Sequence, residues 1–180
     1  MSALGPYLAA CALLVAAGAD KTLRPRSTAR ALAAFVSVPV GTLAAAVRFG
    51  AAFEVVVGLV AAARPSTATA AAVAATYAGF TVFSAFAWIR GGALGTCGCF
   101  STPDTPATAG HVVLDAALAA AAACVAASGG QRWLPVLLGH QPLDGAALVA
   151  AALVTAWLSY LVLVPLARLH AVRREFSEPR

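Results

Sequence analysis

Charge is what this sequence has least of. Only 11% of its 180 residues are charged, and only seven of those are acidic. A soluble domain carries about a quarter charged residues, so this chain cannot cover itself with a water-facing surface. No polar segment is long enough to build a separate soluble domain, and no internal repeat stands out beyond richness in alanine. Also missing are a glycine-rich nucleotide loop, a serine triad and a metalloprotease helix. Nucleic acid is excluded as a partner, because no basic cluster is interleaved with aromatic residues on a polar face. What is present is apolar: 61% of the residues are hydrophobic and the mean hydropathy is +0.86. The net charge of +5 and the pI near 9.5 then read as basic loops against anionic lipid.

The apolar residues fall into runs. Leu4 to Ala19 is the first, with Cys11 inside it. Ala17-Gly18-Ala19 has the small-x-small form of a signal-peptidase site, but no Lys or Arg precedes the run, which favours a retained transmembrane helix. A basic loop from Asp20 to Arg30 follows, broken by Pro25. Ala31 to Val47 is apolar but carries Pro39 and Gly41, which points to an interfacial or re-entrant segment. The second span is expected from Phe49 to Ala63, with Glu54 inside it. Thr67 to Ile89 is the third, and its Phe80, Phe83 and Phe86 fall along one side of a helix. That stripe reads as packing and interfacial anchoring, with a cofactor platform as the alternative. His111 to Ser128 is the fourth span, with Asp115 and Cys124. Gly145 to Leu166 is a fifth, followed by a basic tail. The expected fold is all-α: a polytopic membrane bundle with a four-helix core (residues 1–130) and an additional C-terminal transmembrane helix (residues 131–180).

Between the third and fourth spans lies Arg90-Gly-Gly-Ala-Leu-Gly-Thr-Cys97-Gly98-Cys99-Phe100. A disulfide between residues i and i+2 closes a small ring, departs from relaxed geometry and is easily reduced. It closes almost no loop, so it is a poor staple. Gly98, lacking a Cβ, makes the closure feasible. Exchange chemistry at Cys97 and Cys99 is the leading reading; a zinc site would need four ligands, and the loop offers two thiols with His111 and Asp104. Arg90 and His111 are candidates for favouring the thiolate. Cys11 and Cys124 read as small apolar side chains, or else as secondary, resolving thiols if the first and fourth spans are neighbours. Glu54 is the one acid expected well inside a span. It serves there as a proton relay or quinone contact, or as the partner of Arg48 or Lys21. Asp115, one turn into its helix, suits the positive end of the helix dipole.

These residues resemble the MauE family of methylamine-utilisation membrane proteins, within the broader group that includes DoxX. The likeness rests on Ala17-Gly18-Ala19-Asp20-Lys21, on Glu54, and on Arg90-Gly91 ahead of Cys97-Gly98-Cys99-Phe100. It covers roughly the first 130 residues. Ser101 stands where the family often has glycine, the proline commonly before the glutamate is missing, and Leu114-Asp115 replaces a frequent Arg-Asn pair. The resemblance implies a redox-associated protein that works with a thioredoxin-like partner to form or maintain disulfides of exported proteins. A looser similarity, to membrane quinone reductases that generate disulfides, implies a quinone as electron acceptor. A non-enzymatic scaffold that binds soluble partners through its loops is the alternative. Either way the chain belongs in the lipid bilayer as a multi-pass protein of the cell membrane. Lys and Arg excess would put the cysteine loop in the cytoplasm, whereas disulfide chemistry favours the outer side; the chemistry is given the greater weight.

Overall fold

The computed structural model describes residues 3–33, 36–90, 107–129 and 142–161, and among them it is all-helical. The elements are α1 (Leu4–Leu23), α2 (Pro25–Ala33), α3 (Val40–Ala63), α4 (Thr67–Ile89), α5 (Ala109–Ala127) and α6 (Pro142–Leu161). Four of them, α1, α3, α4 and α5, are long and apolar enough to cross a membrane. The protein is therefore a multi-pass membrane protein.

The helix ends follow local chemistry. Pro25 opens α2, where its missing N–H costs nothing. Ser66 caps α4: its Oγ accepts from the Thr69 N–H at 3.2 Å, and the Ser66 N–H donates back to Thr69 Oγ1 at 2.9 Å. Gly129, at φ +78°, ends α5 in the left-handed conformation that favours glycine.

Two expectations need correction. Most of the expected basic loop, Asp20 to Arg30, is helical: Asp20 to Leu23 close α1, and Pro25 to Arg30 open the amphipathic helix α2, burying Pro25, Thr28 and Ala29 and exposing Arg26 and Arg30. A three- and four-residue spacing of apolar contacts holds it against the bundle. The second span starts not at Phe49 but at Val40 and runs for 24 residues, about 36 Å at 1.5 Å per residue. Pro39 sits just outside it, at the N-cap with ψ 135°. The proline therefore marks where the helix begins, and Gly41 is tolerated in its first turn.

Of the four spans, α1 is the most buried. It packs against α3, α5 and α6, while α4 packs mainly against α5. Two tyrosines join the helices through backbone carbonyls: Tyr7 Oη donates to Ala61 O at 3.2 Å and Tyr77 Oη to Ala10 O at 2.8 Å. With lipid tails as apolar as leucine, such hydrogen bonds and close backbone approach are what hold membrane helices together. Gly18 and Gly58 provide that approach. A Cβ on Gly18 would lie 2.8 Å from Ala51 O, and one on Gly58 3.0 Å from Cys11 O. The contacts run antiparallel, bringing the C-terminal end of α1, the N-terminal half of α3 and the C-terminal half of α4 to one end.

Candidate functional site

The polar centre of this end is an ion pair. Lys21 sits in the last turn of α1, and its Nζ lies 2.6 Å from Glu54 Oε2 on α3. A helical side chain leans toward the N-terminus of its helix, so Lys21 reaches back into the bundle rather than out of it. Both side chains are largely withdrawn, at 4% and 15% exposure. Glu54 had two candidate partners in the sequence; Lys21 takes it, while Arg48 lies on the exposed side of α3. The Lys21 ammonium also stands 4.7 Å from the centre of the Phe80 ring, an added attraction from the ring face. Tyr77 meets the same ring edge-on at 5.7 Å between centroids.

Beside the pair is a cavity of about 180 Å³ between α1, α2, α3 and α4. Its walls include Lys21, Thr28, Gly50, Glu54, Phe80 and Phe83. Sequence reasoning set Phe80 and Phe83 down as packing residues and passed over Thr28 and Gly50. The three-residue spacing of the phenylalanines was the available signal; that α2 would pack on α3 and complete the cavity was not readable.

A second polar contact lies between α4 and α5. Ser84 Oγ donates to Asp115 Oδ2 at 3.0 Å, and both residues are buried. Asp115 therefore acts across the helix interface, not only on its own helix dipole. Glu54 is accordingly not the only acid deep inside a span. His111, a candidate for favouring the thiolate, is buried at the start of α5; the thiols lie outside the described residues. The His111 Nδ1 lies 2.8 Å from Thr108 Oγ1 and accepts from the Thr108 N–H at 3.2 Å.

Cys97, Gly98, Cys99 and Phe100 lie outside the described residues. The connection that carries them leaves α4 at Arg90, whose guanidinium stacks 4.8 Å over Phe86, and re-enters the core at the buried Ala107. Phe83 of the cavity wall is seven residues before Arg90 on the same run, about 10 Å along the helix axis. The site of Lys21, Glu54 and Phe83 is therefore on the end of the bundle from which the cysteine connection departs. α1 and α5 are neighbours, as a resolving role for Cys11 and Cys124 would require, yet Cys11 is buried and Cys124 exposed, and both thiols are free. Among the described residues, no three His, Cys, Asp or Glu side chains come together as a metal site.

A family model described as methylamine utilisation protein MauE matches residues 1–128. No curated protein and no solved structure gives a match.

Proposed function

From the premise that the chain belongs to the MauE family of methylamine-utilisation membrane proteins, we propose that it is a membrane thiol–disulfide exchange protein acting through Cys97 and Cys99. The observation that carries the reading is the placement of the two thiols. In the sequence they fall on the connection between α4 and α5, either side of Gly98 and just ahead of the polar Ser101-Thr102-Pro103-Asp104, and that order supports access by a soluble partner. The other two cysteines lie within spans.

In the exchange, a thiolate of a thioredoxin-like partner attacks one sulfur of the Cys97–Cys99 disulfide. The S–S bond breaks, the departing sulfur leaves as a thiolate, and a mixed disulfide joins the two proteins. The partner's second thiol then displaces the remaining cysteine. The partner ends oxidised by two electrons, and Cys97 and Cys99 end as the reduced dithiol. Arg90 stands at the root of this connection as a fixed positive charge that favours thiolate. Lys21 ties α1 to α3 through Glu54 and touches Phe80 of α4, ten residues before Arg90. A quinone is the proposed acceptor that returns the pair to the disulfide. In this reading α6 continues as a fifth span beside the four-helix bundle.

Replacing one member of the pair stops the second displacement and leaves the mixed disulfide in place. Cys97→Ser and Cys99→Ser should each abolish transfer, and one of them should trap a partner covalently in a band that dithiothreitol dissolves. If neither variant traps a partner and both sustain transfer, the thiol reading fails. A scaffold is the second reading, favoured by the basic end of the bundle, where Arg26, Arg30, Arg48 and Arg90 are exposed. Under it, a Cys97→Ser/Cys99→Ser protein still rescues a deletion strain, and neutralising those arginines does not.

A further inference from the structure

Thr28 carries a hydroxyl with no visible use. Threonines in this bundle bond to the carbonyl four residues back: Thr22 to Gly18, Thr76 to Ala72 and Thr81 to Tyr77, all at 2.7–2.9 Å. For Thr28 that carbonyl is Arg24 O, and the Ser27 hydroxyl already occupies it at 3.0 Å. Thr28 is only 6% exposed, lines the cavity, and its Oγ1 has no hydrogen-bond partner among the described residues. A buried hydroxyl left unpaired is costly, and this one is placed to donate to a molecule in the cavity.

The rest of the cavity describes that partner. Lys21 and Glu54 neutralise each other, so a charged molecule gains little there. The Lys21 ammonium has three donors; it stands 2.6 Å from Glu54 Oε2 as an ion pair, and that buried oxygen, like Thr28 Oγ1, has no hydrogen-bond partner among the described residues. Besides the Glu54 carboxylate, Lys21 and Thr28 are the polar groups of a largely apolar wall, and both can donate to a carbonyl oxygen. Phe80 and Phe83 offer a wall for a flat ring. Gly50 leaves room on the facing wall, since a Cβ built there would meet nothing within 4 Å. The size is limiting: an apolar cavity of roughly 150 Å³ accepts one benzene ring, and drug-sized pockets run from about 300 Å³ upward. At about 180 Å³ there is space for one substituted ring and none for a nucleotide or a flavin. Three of the four helices around it, α1, α3 and α4, are long and apolar enough to cross the membrane, which favours a lipid-soluble molecule.

We infer that this cavity binds the single-ring head group of a lipid-soluble quinone, with one carbonyl oxygen held by Thr28 and Lys21. An acyl chain would leave Thr28 unpaired, and an anion would meet Glu54. Binding stands on these residues alone. Its link to redox rests on the proposed thiol function: when the Cys97/Cys99 dithiol closes to a disulfide it releases two electrons and two protons, and the quinone takes both to become the hydroquinone.

The test uses the full chain in lipid nanodiscs with tetramethyl-1,4-benzoquinone, whose ring is fully substituted and so does not add thiols. The hydrocarbon 1,2,4,5-tetramethylbenzene has nearly the same shape and no oxygen. The quinone should bind saturably and at least tenfold more tightly than the hydrocarbon. Gly50→Leu should abolish binding by filling the cavity while the protein's thermal midpoint is retained. Thr28→Val should weaken binding by roughly five- to tenfold, the worth of one hydrogen bond, and Thr28→Ser should restore it. Equal affinity for the two probes, or unchanged binding in Gly50→Leu or Thr28→Val, overturns the site. The Cys97→Ser/Cys99→Ser protein should bind the quinone normally but fail to reduce it. Binding without reduction by the wild-type dithiol overturns the redox link and leaves the site standing, and the mixed-disulfide trap reports separately on the partner reaction.

Discussion

Lys21 and Glu54 illustrate how much a single residue can decide inside a bundle with so little charge. Lys21→Ala leaves the Glu54 carboxylate withdrawn from water with no counter-charge, and removing one partner of a buried pair costs about 3 kcal/mol. Thermal unfolding of the purified protein should show that loss, and Glu54→Ala added on top should recover part of it. A double variant as unstable as the sum of its singles would mean the pair is not coupled. The Ser84–Asp115 contact is a smaller case. Ser84→Ala should cost about 1 kcal/mol, in the range of interhelical hydrogen bonds within membranes, and less than Lys21→Ala in the same assay. The sequence made Glu54 conspicuous because an acid amid apolar residues is costly, and it named Lys21 as one of two partners. It did not reveal Ser84 as the partner of Asp115, since the two lie 31 positions apart and only the packing of α4 on α5 joins them.

At the level of elements, α1 and α3 are held close by glycine. Gly18→Ala would drive a Cβ to 2.8 Å from the Ala51 carbonyl oxygen, a backbone atom that cannot swing aside. Overpacking of this kind costs about 1–3 kcal/mol. Gly79→Ala is the matched control on α4: a Cβ there meets nothing within 4 Å, so the gain in helix propensity, about 0.5–1 kcal/mol, should raise stability. If both substitutions shift the unfolding midpoint the same way, glycine is not setting the α1–α3 distance. Helix content and most span positions were legible, because apolar runs of about 20 residues leave few other choices. The start of α3 was not. Pro39 and Gly41 look like breaks within an apolar run, and only the N-cap geometry of Pro39 shows that the break comes before the helix. α2 was hidden for a related reason: its arginines suggested a loop, whereas its buried face is made of the small residues Pro25, Thr28 and Ala29.

For the molecule as a whole, the helix order gathers the buried ion pair and the cavity at one end. The close of α1, α2, the start of α3, the close of α4 and the start of α5 share it, along with the ion pair and the cavity. The same end carries most of the basic residues of the described chain, Arg24, Arg26, Arg30, Arg48 and Arg90 among them, against Arg64 at the other. The charge bias points to the cytoplasmic side and the proposed redox chemistry to the outer side; we propose that the cysteine connection faces outward. The measurement that tests it most directly is thiol labelling of intact cells with a membrane-impermeant maleimide, with and without prior reductant. Cys11→Ser/Cys124→Ser protein serves as the background, so that only Cys97 and Cys99 report. Little labelling is expected before reductant, and labelling of both cysteines from outside after it. Cys97 and Cys99 that stay fully reduced in the cell, and label alike with or without reductant, would contradict the proposal.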